Sequence, residues 1–231
     1  MSKQEMFDFK FYEWEKKFHD RPFLRQPFGD RWETYSWSET GQMARKLATG
    51  LQSLGLRKNA HIGLISKNCR EWVIADLAIM MAGYISVPFF PSLKGEELKF
   101  LIDYGDVDLL FVGKIETWEN IKDHIPKNLP LIAFPQYKGC SKVDRGQQWF
   151  NFIDQHQPLQ NPYKPKLSDI WTIIFTSGTT GNPKGVELSY LALDETKIIT
   201  EQVNPLKIDF SGNNAFISYL PLNHIVERVV V

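Results

Sequence analysis

From residue 38 onward, the apolar and polar positions switch repeatedly between a helical and an extended period. Met43, Leu47, Leu51 and Leu54 recur at helical spacing, with Ser38 placed to cap the start and Gly55 to stop the helix from just beyond its end. The run HIGLIS, 61–66, predicts a short buried strand. A helix over 70–81 stopped by Gly83, a strand over 84–90, a helix over 96–104 and a strand over 107–112 follow from the same pattern. A helix near 115–124 and a strand near 129–134 repeat the unit. Strands that are apolar without alternation and separated by helices imply mostly parallel β-sheet with helices on both faces, an α/β fold.

Two stretches interrupt this rhythm. Residues 136–148 are polar and glycine-bearing, an excursion or insertion, and 158–165 (PLQNPYKP) read as a linker between two sheet units. The expected organisation is a first α/β portion over about 1–157 and the start of a second over 166–231. Past the linker, DIWTIIFT predicts a buried strand that runs straight into a glycine-rich segment. The longest apolar run, 74–90, contains Asp76, Gly83 and Pro88 and falls short of the roughly 20 residues a membrane span needs. It reads as a buried helix followed by a buried strand, with no transmembrane segment.

Composition changes the picture mainly by exclusion. Hydrophobic residues make up 43% of the chain and charged ones 23%, the balance of an ordinary globular protein. Lysine plus arginine equals aspartate plus glutamate at 27 each, which lacks the basic excess of a nucleic-acid binder. Cys69 and Cys140 are too few for a disulfide framework, and the charged, aromatic opening MSKQEMFDFKFYEWEKK is no secretory leader. Unpaired thiols in a reducing cytoplasm are expected. The five histidines show no ligand spacing for structural zinc.

The chemistry sits in TSGTTGNPKG, 176–185, which packs four hydroxyls, three glycines and one lysine into ten residues. Glycines let backbone N–H groups converge on an anion. Thr176, Ser177, Thr179 and Thr180 can donate to phosphate oxygens, Lys184 adds a positive charge, and Pro183 stiffens the turn that places it. The segment is not a Walker P-loop: five positions beyond Gly178 stands Pro183, and Lys184 is followed by Gly185. Nor is it the dinucleotide fingerprint, because position 180 is threonine. A hydroxyl-rich hairpin between two strands is the competing structural explanation.

TSGTTGNPKGVELS closely resembles the signature phosphate loop of adenylate-forming enzymes, the group that holds acyl-CoA synthetases, luciferases and peptide-synthetase adenylation domains. The segment 70–93 (REWVIADLAIMMAGYISVPFFPSL) looks like the stretch acyl-CoA synthetases carry ahead of that loop, and 217–231 (ISYLPLNHIVERVVV) resembles the PLxHxxER form of long-chain fatty acid–CoA ligases. One departure is Ser189-Tyr190, where many relatives have Ser-His; Tyr190 is expected to open the next helix.

The resemblance implies the following assignments. Thr176, Ser177, Gly178, Thr179, Thr180, Gly181, Lys184 and Gly185 would bind the phosphates of ATP, with Thr176 and Thr179 the candidates for Mg²⁺ carried by the nucleotide. His224 would line the acyl and adenylate pocket, while Glu227 and Arg228 are open between a helix-face ion pair and a functional role. A fatty acid and ATP would form acyl-AMP, coenzyme A would then displace AMP, and the whole enzyme could associate peripherally with membrane. No stretch corresponds to the family's later motifs, the YGxTE segment, the ribose-binding aspartate and the catalytic lysine. The expectation is therefore the N-terminal part of a ligase, without turnover on its own. The alternatives are another acyl-, aryl- or aminoacyl-adenylating domain, or a short non-catalytic interaction module.

Overall fold

The computed structural model describes residues 6–176, 183–204, 207, 209, 211 and 214–230. The chain opens with a helix α1 (Lys10–Lys17), a hairpin of β1 (Pro22–Phe28) and β2 (Arg31–Ser36), and a long helix α2 (Trp37–Ser53). There follow β3 (His61–Ile65), α3 (Arg70–Ala82), β4 (Ile85–Phe89), α4 (Gly95–Tyr104), β5 (Val107–Val112), α5 (Trp118–Ile121), β6 (Leu131–Ala133), β7 (Gln147–Gln148) and α6 (Trp149–Asp154). The described part closes with β8 (Ile170–Thr176), β9 (Lys184–Ser189), α7 (Tyr190–Val203) and α8 (Ile225–Val230).

One seven-stranded sheet runs in the order β7-β6-β5-β3-β4-β8-β9, parallel except for the antiparallel edge strand β9. Alternate residues of the central strands feed two cores. Ile62 and Leu64 of β3 and Leu109 and Phe111 of β5 join α2, α3 and α6 on one face. Ile65, Leu110 and Val112 join α4 and α5 on the other. This is why the strands read as unbroken apolar runs: both faces are buried.

The observed bounds refine the sequence reading at several points. Helix α2 is capped by Ser36 rather than Ser38, because only Ser36 has a glutamate three positions on. Its hydroxyl accepts from the Glu39 N–H at 3.1 Å and its own N–H donates to the Glu39 carboxylate at 2.7 Å. Gly55 and Gly83 follow α2 and α3 with φ of +64° and +81°, a left-handed stop that suits glycine. The helix expected near 115–124 is reduced to the four residues of α5 and a 3₁₀ turn, Lys122–His124.

The stretch 136–148 is tied to the core. Tyr137 and Val143 are buried, and Asp144 accepts from the Trp118 indole at 2.8 Å. Residues 158–165 carry the chain to β8, which pairs with β4, so they join two portions of one sheet rather than two sheets.

Residues 6–36, for which periodicity predicted no element, pack an aromatic cluster onto α2. Phe23 stacks on Trp37 at 3.9 Å and Phe11 lies 5.6 Å from it. Phe28 and Arg31 pair across a two-residue turn in which Gly29 has φ +62°. The Gly-Asp step between two β-rich runs was the signal available for that hairpin.

Candidate phosphate-binding site

Strand β8 climbs from the interior to the surface. Trp171, Thr172 and Ile173 are buried, Ile174 and Phe175 half-buried, and Thr176 is exposed. Strand β9 returns beside it, pairing Phe175 with Gly185 and Thr176 with Lys184. Ser177, Gly178, Thr179, Thr180 and Gly181, with Asn182, lie outside the described residues, and with them the low order that so glycine-rich a loop predicts when no phosphate organises it. The two ends are defined. Thr176 presents its hydroxyl and Lys184 its ammonium group at adjacent, exposed positions.

The rung next to this pair is packed on the other face of the sheet. Phe175 stacks nearly parallel on Phe89 of β4, with centroids 6.1 Å apart and planes 8° apart, and lies 5.9 Å from Tyr104 of α4. Gly185 fits closely here: a Cβ would stand 3.2 Å from both Ile173 Cγ2 and Phe175 Cε1, so these side chains would have to shift by a few tenths of an ångström. Parallel pairing of β3, β4, β5, β6 and β8 puts Ile65, Phe89, Val112, Ala133 and Thr176 on one edge, the carboxyl edge of the sheet. β3 lies between β4 and β5, so the crossovers change direction at its end, where α/β sheets place their ligands.

Asn68 follows β3 at that point, and sequence reasoning missed it. Its side-chain amide donates to Ser218 Oγ at 2.9 Å and to the Leu220 carbonyl at 2.7 Å, and its Oδ1 accepts from the Leu222 N–H at 3.0 Å. These bonds pin the PLxHxxER segment to the carboxyl edge, and Leu222 enters the main core. His224 closes the next turn through its N–H to the Pro221 carbonyl, 2.8 Å. Its exposed ring accepts from the Val226 N–H at Nδ1, 3.3 Å, and so caps α8.

Arg228, which the sequence offered to Glu227, finds a different partner. Its guanidinium is buried and holds both carboxylate oxygens of Asp76 on α3, at 2.7 and 2.9 Å. It also donates to Ser86 Oγ on β4 at 2.8 Å and Thr172 Oγ1 on β8 at 2.7 Å, and its central carbon lies over the Trp171 ring, 4.2 Å from the centroid. Tyr190 opens α7 as expected. Burial, and then the charge of Asp76, push its hydroxyl well above the ordinary tyrosine range.

Among the described residues no group of three or more His, Cys, Asp or Glu side chains could hold a metal ion. Thr176 supplies one neutral oxygen, so a divalent ion at this edge fits only as the companion of a polyphosphate that brings most of its ligands. A cleft of about 450 Å³ lies at the opposite edge of the sheet, lined by Asp103, Asp106 and Asp108. Arg57 pairs with Asp106 and Asp108, and the net negative charge that remains disfavours a phosphate ligand in this cleft.

Residues 11–231 match the family described as AMP-binding enzyme. The chain belongs to the AMP-binding enzyme family. Similar members include mouse (Mus musculus) long-chain-fatty-acid–CoA ligase ACSBG2, 28% identical over 95% of this chain and 34% of that protein. Long chain acyl-CoA synthetase 4 of Arabidopsis thaliana is 30% identical over 86% of this chain and 31% of its own length. The chain thus spans about a third of these relatives. Among solved structures, a long-chain-fatty-acid-CoA ligase (FadD1) from Archaeoglobus fulgidus superposes with a TM-score of 0.79 at 20% identity, over all of this chain and 45% of that one. At that identity the superposition establishes the α/β fold of adenylate-forming enzymes and nothing finer. Among the described residues no helix is long and apolar enough to cross a membrane.

Proposed function

We propose that this sequence supplies the phosphate-binding part of an ATP-dependent long-chain fatty acid–CoA ligase. The observation that carries the reading is the pairing of Thr176 with Lys184 at the carboxyl edge of the sheet, which brackets a glycine- and hydroxyl-rich segment. The fatty-acid branch is supported by the PLxHxxER form of 221–228 and by the names of the relatives.

In the proposed reaction a fatty acid carboxylate attacks the α-phosphorus of ATP. The bond from that phosphorus to the bridging oxygen breaks, and pyrophosphate leaves. The thiol of coenzyme A then attacks the acyl carbonyl, the bond to the AMP oxygen breaks, and the thiol proton is lost to solvent. Lys184 and the hydroxyls of Thr176, Ser177, Thr179 and Thr180 hold the β- and γ-phosphates, and the backbone at Gly178, Gly181 and Gly185 allows close approach. Thr176 and Thr179 would supply protein-side oxygens to a nucleotide-borne Mg²⁺, which would offset part of the triphosphate charge when bound. His224 at the head of α8 borders the acyl-adenylate. The reading places the protein in the cytoplasm, with no nucleic acid partner, and leaves room for peripheral contact with membrane.

The test is pyrophosphate release with ATP, Mg²⁺ and palmitate, followed by acyl-CoA formation, in a polypeptide of the relatives' length that carries these residues. The 231 residues alone are expected to match the blank. Release that depends on an aryl acid or an amino acid and not on palmitate would move the substrate to another branch of the family. No release with any acid would support a non-catalytic interaction module.

A further inference from the structure

A six-residue helix has little stability of its own, so the placement of α8 depends on what holds it. Asn68 fixes the turn that leads into it, and Arg228 anchors its last turn. The Arg228 side chain is 1% exposed and spends its donors on three separate elements: Asp76 of α3, Ser86 of β4 and Thr172 of β8. Ser86 and Thr172 are themselves partners in the single register that joins β4 to β8. Thr172 lies four positions before Thr176, on the same side of the strand. His224 lies four positions before Arg228, one helical turn away.

We propose that Arg228 is a positioning residue for adenylation: its buried pairing with Asp76 and its bonds to Ser86 and Thr172 set where His224 stands relative to the strand that carries Thr176. This rests on the ligase reading given above. Two features argue for placement over mere cohesion. A buried ion pair contributes little net stability against well-packed apolar residues of similar size, so cohesion alone would not call for one. The contact set also needs a planar fork. Nη1 serves Thr172 while Nη2 serves Asp76 and Ser86, with the guanidinium carbon over the Trp171 ring, a set of contacts that a lysine ammonium cannot reproduce.

The experiment compares wild type, Arg228→Lys, and the apolar pair Asp76→Leu with Arg228→Met. Thermal unfolding and amide hydrogen exchange are followed in the 231-residue chain, and palmitate-dependent pyrophosphate release in the ligase of the relatives' length. The apolar pair is expected to keep its unfolding temperature within a few degrees while amides of α8 exchange faster. Its kcat should fall by about 10- to 10²-fold, with the KM for ATP little changed, as for a misplaced reacting group. Arg228→Lys keeps the charge and should recover less than half of the lost rate. The proposal is overturned if the apolar pair exchanges and turns over like wild type. It is equally overturned if the rate is lost only in proportion to lost stability and returns on cooling. A wild-type ligase that releases no pyrophosphate would instead sink the functional reading, a result the exchange data do not touch.

Discussion

Thr176 and Lys184 are partners across the antiparallel pair β8–β9, so the seven residues between them leave and rejoin the sheet at one place. Directly paired residues share a face, so the cation and the hydroxyl leave the sheet on the same side, opposite to the ring of Phe175.

Removal of that cation tests the phosphate role directly. A screened surface lysine contributes only on the order of 0–1 kcal/mol, whereas a cation held against a triphosphate in a closed site is worth ~10²–10³ in rate. Lys184→Ala in the ligase is expected to slow pyrophosphate release by that factor with unfolding unchanged, and Thr180→Ala to slow it less. Added acyl-AMP plus coenzyme A should still react in both, which confines the loss to the first step. Adenylation by Lys184→Ala at the wild-type rate would leave the lysine a solvated turn residue.

Glu71 carries a structural load instead. It is fully buried, accepts from Arg70 Nε at 2.9 Å and from the Tyr137 hydroxyl, and Arg70 in turn reaches Glu33 of the hairpin at 2.9 Å. Glu71→Ala leaves the buried guanidinium with Glu33 as its one carboxylate and should cost about 3 kcal/mol, while Glu71→Gln keeps the shape and an acceptor and should cost less. Urea unfolding of both variants measures this. Equal midpoints would show that Glu33 alone compensates Arg70.

Alkaline pH should weaken the fold. Burial, and then the charge of Glu71, push the Cys69 thiol from 9.0 up to about 12. The folded state keeps this proton where the unfolded state releases it, so the contribution is complete below pH 9.0 and is lost as pH rises toward about 12. The slope is ~1.4 kcal/mol per pH unit for one group. Cys69→Ala should flatten the curve of stability against pH in that window, and an unchanged slope would assign the loss to other buried groups.

Two glycines separate conformational strain from crowding. Gly55 has φ +64° with open space where a Cβ would stand, and Gly146 has φ +83° with a would-be Cβ 2.3 Å from the Leu131 carbonyl oxygen. Gly55→Ala should cost about 1–2 kcal/mol, the left-handed penalty alone. Gly146→Ala must also displace backbone of β6 and should cost clearly more. Equal melting temperatures for the two would show that the β6 edge yields freely.

Much of the fold was legible because its signals are local. The strand over 107–112 has the bounds that periodicity gave it, since an apolar run between two helices has one way to lie in a sheet covered on both faces. The helix cap was misplaced by two residues, because Ser36 and Ser38 are alike until the glutamate that answers one of them is counted. The aromatic opening segment escaped notice because α1 has eight residues with only Phe11 buried, too little to print a period.

By itself the sequence determined the α/β alternation and marked the glycine- and hydroxyl-rich segment after β8, because both depend on residues within a few positions of one another. Tertiary structure alone decided which charge meets which. Glu227 is the nearest carboxylate to Arg228 along the chain, yet the ion pair forms with Asp76, 152 residues away, and the three bonds of Asn68 reach across 150 to 154. The reason is desolvation. A buried guanidinium must be answered by whichever acceptors the packed elements bring to it, and that is settled by how α3, β4 and β8 stack rather than by the order of residues along the chain.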